Sequence, residues 1–195
     1  IWIGYMNTII YTVFGTLLGL LSSLLAGYAL SRKDLPGRNL IMGIFAFTMY
    51  FGGGLIPFYM VVKGLGLVNT RLVLIILGSV SVYNIIIIRT FFASTLPIEL
   101  QEAAFIDGCT NQRFFFSIAL PLSKAIIAVI ALYLAVGYWN SFFNAMIFIT
   151  DRNKQPLQIY LREILLTAKT MDSTSLADPE AASKLEKMVE IVKYG

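Results

Sequence analysis

The first 30 residues of the chain contain no Asp, Glu, Lys or Arg. From about Tyr5 to Leu30 this stretch exceeds the roughly 20 apolar residues needed to cross about 30 Å of hydrocarbon, so a membrane-spanning helix is the natural outcome. Three further apolar stretches follow, giving expected spans at about 5–30, 39–62, 72–88 and 122–149. With 57% hydrophobic and 13% charged residues, the chain reads as an all-α integral membrane protein, a bundle of transmembrane helices forming one domain over 1–195. The net charge of +4 does not point to nucleic acid, because the cations sit at loop ends where membrane topology places them. Ser31-Arg32-Lys33-Asp34-Leu35-Pro36-Gly37-Arg38 is the densest of these basic turns and is expected on the cytoplasmic side.

Absences narrow the chemistry. The sequence has no His and a single Cys, Cys109, which removes a disulfide framework and most transition-metal and Cys/His nucleophile schemes. It has no Gly-x-x-x-x-Gly-Lys-Ser/Thr loop, so ATP chemistry would have to come from another chain. The chain opens on Ile1 and stops in Ile191-Val192-Lys193-Tyr194-Gly195, where a new apolar run begins, and it reads as a fragment of a longer polypeptide.

Within the spans, polar and breaking residues mark positions of interest. Gly15-x-x-x-Gly19 is either a close-packing face for a second helix or a tolerated pair of glycines. Gly52-Gly53-Gly54 with Pro57 interrupts the second span, either as a packing kink or as an opened helix near a translocation path. Lys63 to Arg71 is a short loop on the opposite side. Asn84, in the third span among Ser79, Ser81 and Tyr83, is a candidate path residue, although polar groups there also serve as interhelical glue. The outer half of the fourth span carries Tyr138, Trp139, Asn140 and Asn144. Aromatic faces stack on the C–H faces of sugars and carboxamides both donate to and accept from hydroxyls. The same residues also suit an aromatic belt at the membrane surface.

Beyond residue 150, Leu157, Tyr160, Leu161, Ile164, Leu165 and Ala168 form an apolar stripe at helical spacing, expected to lie flat on the membrane. Asp172 to Glu180 reads as a polar linker, with Pro179 able to open a further helix over Ala181 to Val192.

Between the third and fourth spans lies a charged, helix-breaking island, residues 89–121. Pro97 and Glu99 suit a helix start and Gly108 a helix stop. Leu96, Leu100, Ala103, Ala104 and Asp107 share one mildly apolar face. The aromatic run Phe114-Phe115-Phe116 is expected to wedge this loop against the bundle.

Glu102-Ala103-Ala104, then Gly108, then Ile118-x-Leu120-Pro121 resembles the EAA loop of ABC-importer permease subunits. The Ser31–Gly37 turn, Gly52-Gly53-Gly54-Leu55-Ile56-Pro57, the Trp139-Asn140 neighbourhood and Pro156-Leu157-Gln158 are similar to the maltose-type carbohydrate branch. The resemblance implies a type I permease fold in a bacterial-type inner membrane, crossing it several times. It implies that Glu102, Ala103, Ala104, Asp107 and Gly108 form the helix that docks on a cytoplasmic ATPase dimer, and that Ile118, Leu120 and Pro121 tie it to the next span. It further implies a second permease subunit in a heterodimer, an extracytoplasmic solute-binding protein that meets segment 150–195, and lipid around the spans. No cofactor is expected on this chain itself, with ATP and Mg acting through the partner ATPase. Family members have a further span on either side of the 195 residues. The rival readings are a permease for another cargo such as amino acids or phosphate, and an ion-coupled secondary transporter. The latter wants ionisable residues inside its spans, which the sequence does not supply. An intramembrane enzyme lacks a His, an Asp pair or a Ser–Lys pair in any span.

Overall fold

A computed structural model describes residues 1–175, so the expected helix over Ala181 to Val192 and its start at Pro179 lie outside the described residues. The central element is α1 (Trp2–Ser31), the one described helix long and apolar enough to cross a membrane unbroken. Its buried positions include Gly4, Asn7, Thr8, Tyr11, Gly15, Gly19, Ser23 and Gly27, a face of small and polar residues at three- and four-residue steps.

The other three expected spans are each broken. α2 (Arg38–Tyr50) and α3 (Leu55–Gly64) meet at 114° across residues 51–54, so 39–62 is not one straight helix. Gly54 there has φ +81° and ψ 168°, an extended positive-φ conformation that is essentially confined to glycine. α4 (Arg71–Leu77) and α5 (Val82–Thr95) are bent by 45° at residues 78–81, where a continuous 72–88 span was expected. The island then folds as α6 (Ile98–Ile106), α7 (Asn111–Phe114), a π-helical turn (Phe115–Ala119) and α8 (Leu120–Leu122).

Pro121 does not begin the fourth span. Its ring crowds the carbonyl four residues back, and the turn widens so that Leu120 N–H donates to Phe115 O. The chain then bends by 81° and α9 (Lys124–Trp139) follows, ending well before Ile149. α10 (Phe143–Phe148), a 3-10 turn (Arg152–Lys154) and α11 (Leu157–Ser175) complete the described chain. The linker expected from Asp172 is helical as far as Ser175. Instead of resting wholly on lipid, α11 is packed on α1: Ile159 and Tyr160 are buried, while Leu161 and Leu165 remain exposed.

Two apolar cores result. One joins Tyr11, Val62, Val73, Phe148 and Ile159 at the α11 end. The other joins Leu24, Ile88, Phe92, Phe114, Phe115 and Ile130 at the α6 end. Between them is a glycine-lined waist. Gly15 and Gly78 both lie against the Tyr138 ring, and Gly19 against Leu134, so close packing is the role of Gly15-x-x-x-Gly19. The break at 78–81 frees backbone carbonyls that hydrocarbon cannot solvate. Tyr138 Oη donates to Ile75 O at 2.7 Å and Ser22 Oγ to Ser79 O at 2.8 Å, which answers that need.

Candidate functional site

The C-terminal end of α6 is closed by its own backbone. Gly108 adopts φ +77°, Gly108 N–H donates to Phe105 O at 3.0 Å, and Cys109 N–H reaches back to Ala104 O at 2.9 Å. This paired closure needs a left-handed residue after the helix, and Cys109 and Ala104 then pack together on the α6-end core. The thiol is thus a small filler beneath the turn. At the other end Pro97 is the N-cap, and Leu96 packs on the same core.

Between these two fastenings α6 has no buried residue. Leu100, Ala103 and Asp107 are exposed, so of the expected apolar face only Leu96 and Ala104 turn inward. Glu102 is exposed and lines a cleft of about 820 Å³ between α6 and the basic turn, with Arg32, Asp34, Arg89, Glu99 and Phe105. Ile98 and Leu100 are exposed as well, and Ile106 presents 86% of its surface. Ile118 and Leu120 pack on the core at the corner leading to α9, and Pro121 is exposed there. Of the three Phe, Phe114 and Phe115 are wedged into the core, whereas Phe116 is exposed.

A further link between this helix and α1 carries, in the sequence, only a topological signal. Arg32, just past α1, is 8% exposed. Its guanidinium donates to both Asp34 carboxylate oxygens, at 2.8 and 2.7 Å, and to Tyr28 Oη at 3.0 Å. It also lies 5.4 Å from the Phe105 ring centroid and 5.8 Å from that of Tyr28. The hydrogen bonds from Arg32 hold the Asp34 carboxyl below its usual range, and the pair raises Arg32 in turn, so both stay charged through neutral pH. Phe105 in turn meets Phe114 edge-on at 6.3 Å. One side chain therefore touches α1 and α6 together.

At the opposite end, the path candidates separate. Tyr138 is buried in the waist with its hydroxyl committed to Ile75 O, a packing role. Asn84 is buried in the first turn of α5, capped by Ser81. Asn144 is half-buried at the start of α10. Trp139 and Asn140 are exposed at the end of α9; Trp139 meets Tyr5 edge-on at 6.1 Å, and Asn140 Oδ1 accepts from Gln158 at 3.4 Å. The 153–157 backbone is held by α1. Asn7 Nδ2 donates to Asn153 O at 2.7 Å and Gln155 O at 3.2 Å, Tyr11 Oη donates to Lys154 O at 2.7 Å, and Thr8 Oγ1 accepts from Leu157 N–H at 2.8 Å. Polar residues at 7, 8 and 11 in an otherwise apolar helix start are the sequence signal that could have revealed this latch.

Residues 15–165 match the family described as the binding-protein-dependent transport system inner membrane component. The chain belongs to that family. It is 44% identical to Protein LplC of Bacillus subtilis over 93% of this chain and 63% of the relative. It is 41% identical to the polygalacturonan/rhamnogalacturonan transport system permease protein YtcP of the same organism, over 88% of this chain and 59% of the relative. The chain thus spans about three-fifths of the length of these relatives. Its fold matches the crystal structure of a bacterial ABC transporter involved in the import of the acidic polysaccharide alginate, with a TM-score of 0.83 and 34% identity, covering 98% of this chain and 67% of that one. The resemblance read from the EAA-type spacing therefore holds at the level of family, and the membrane fold, helical throughout the described residues apart from its turns, is that of the type I ABC-importer permeases.

Proposed function

We propose that this chain is the core of a permease subunit of an ATP-driven importer of di- or oligosaccharides. In this reading α6, with Glu102, Ala103, Ala104, Asp107 and Gly108, is the coupling helix on which a separate cytoplasmic ATPase dimer, using ATP and Mg, acts. Ile118, Leu120 and Pro121 carry its displacement around the corner into α9. A second permease subunit completes the pathway, and an external solute-binding protein meets the segment after residue 150. Trp139 and Asn140 stand at the mouth of the path, with Asn84 and Asn144 further candidates along it.

The observation that carries the reading is a helix fastened at both ends, closed by a left-handed glycine, yet without one buried residue. A nine-residue helix that only Ala104 and Gln101 half-bury does not persist on propensity alone, and its outward Ile98, Leu100 and Ile106 are suited to a partner's groove. Sugar as the cargo is supported by the polygalacturonan and alginate transport of the similar proteins and by the exposed Trp139 and Asn140.

The test is co-purification of the full-length protein with its neighbours, followed by assay of sugar-stimulated ATP hydrolysis. Glu102→Arg is expected to lower ATPase association and stimulated hydrolysis at least tenfold while leaving the permease folded in the membrane. Full stimulation in that variant, or purification without any ATPase, would refute the reading.

A further inference from the structure

Gln158 and Arg162 are four residues apart on α11 and so share a face, and that face meets the break after α9. Gln158 Nε2 reaches Asn140 Oδ1 at 3.4 Å, and the Arg162 guanidinium lies 4.4 Å from the centroid of the Phe142 ring. Beside Asn140, Trp139 stands edge-on to Tyr5, which stacks on Trp2 at 5.9 Å between centroids. Trp2, Trp139, Asn140 and Arg162 are all exposed, so aromatic, carboxamide and cation form one open seam at the α11 end.

The bonding inside the seam leaves particular groups free. Asn140 is largely engaged, because its Nδ2 donates to Val136 O at 3.0 Å while its Oδ1 accepts from Gln158. Gln158 keeps its carbonyl oxygen and a second N–H. Arg162 sits over the Phe142 ring and is itself exposed, so its N–H donors remain open to a ligand. The carboxylates nearby are already matched: Asp151 pairs with Lys154 at 3.2 Å and Glu163 with Arg152 at 3.4 Å. Among residues 1–169, whose side chains are described, no ion pair involves Arg162. A cation held over a ring, with no counter-ion among those residues and next to ring-stacking aromatics, fits a ligand that is both a sugar and an acid.

We propose that this seam is a subsite for an acidic oligosaccharide, one carrying uronic-acid carboxylates. Arg162 takes the carboxylate through two parallel N–H···O bonds, Trp139 lies along a C–H face of the ring, and Gln158 bonds a ring hydroxyl. The proposal rests on the carbohydrate-permease reading and narrows its cargo.

Trp2 and Trp139 lie in the seam, and the difference between the protein and its Trp139→Phe variant isolates the seam's emission from that of the rest of the full-length protein. Full-length protein in phosphatidylcholine nanodiscs is titrated with trigalacturonate and with neutral galactotriose, and tryptophan emission is followed. The expected result is a saturable change with trigalacturonate at least tenfold tighter than with galactotriose. Arg162→Ala removes that preference, Arg162→Lys restores part of it, the neutral response stays unchanged, and Trp139→Phe removes most of the signal. Equal response to the two sugars, or an unaltered preference in Arg162→Ala of unchanged melting temperature, overturns the subsite. The two readings separate in the assembled transporter with its binding protein. Stimulation of ATP hydrolysis by neutral sugar alone sinks the acidic subsite and keeps the permease; stimulation by neither sugar sinks the carbohydrate reading itself.

Discussion

The two ends of the molecule are fastened by different means. At the α11 end, Asn7, Thr8 and Tyr11 of α1 bond the backbone of residues 153–157 directly, through short contacts that fix position and direction together. At the α6 end the fastening is by apolar packing of Leu96, Ala104 and Cys109, together with one buried arginine that is anchored on Asp34 and Tyr28 and touches α6 through the Phe105 ring. Directional backbone bonds resist sliding as well as separation. A cation over a ring has a shallow, broad minimum and allows the partner to shift while staying attached. The α11 end is therefore a latch and the α6 end a joint, which suits a helix that must transmit a push.

Arg32→Ala is the sharpest way to break this contrast. It removes the grip on Asp34, the bond to Tyr28 and both ring contacts, at about 2 kcal/mol, less than a fully buried pair because Asp34 is half open to water. Transport is expected to fall roughly tenfold or more, with faster hydrogen exchange over residues 98–106 and unchanged exchange over 150–157. Arg32→Lys should recover little, because an ammonium cannot reproduce the fork. If exchange rises equally at both ends, the joint is not local and the contrast fails.

Asn7→Ala tests the latch. Two backbone carbonyls lose a donor in a part-buried setting, at about 1–2 kcal/mol. A lower melting temperature and faster exchange at 153–157 are expected while ATPase association stays intact. Loss of ATPase association in this variant would show that the ends are not independent.

Gly108→Ala has the smallest expected effect. A Cβ there meets nothing within 4 Å, so the change isolates the strain of φ +77°, about 1 kcal/mol. ATPase affinity measured on the assembled complex should fall about fivefold, since the closure of α6 loosens without any clash. An unchanged affinity would mean that the turn does not need its left-handed residue.

Much of this is legible in the chain. The uncharged start yields α1, and the stop at Gly108 is readable because only a residue without Cβ takes that backbone freely. Gly52 to Gly54 announces the break between α2 and α3. What escapes are features whose cause lies far away in sequence. The break at 78–81 is stable because Tyr138, 63 residues from Ile75, supplies its hydroxyl, so a polar cluster viewed locally looks like glue in an unbroken span. Tyr138 itself looks, by its neighbours in sequence, like a residue facing the path, when its ring and hydroxyl serve the waist. Pro121 suits the first turn of a fourth span, yet its effect is exerted backward, widening the turn before it. Arg32 counts as a loop cation until its ring partner Phe105 arrives from another element. At the candidate site the spacing identifies the helix, while the direction of its faces depends on which side the core occupies.

The hydroxyl of Tyr138 also restricts how this bundle can change shape. Drawing α9 away from α4 would strand the Ile75 carbonyl in hydrocarbon, at a cost of several kcal/mol. α1, α4 and α9 are thereby constrained to travel as one rigid body, keyed together at its centre. The conformational freedom needed to open one side of a membrane and then the other is left to the glycine elbow at 51–54 and to the bend at Ser123.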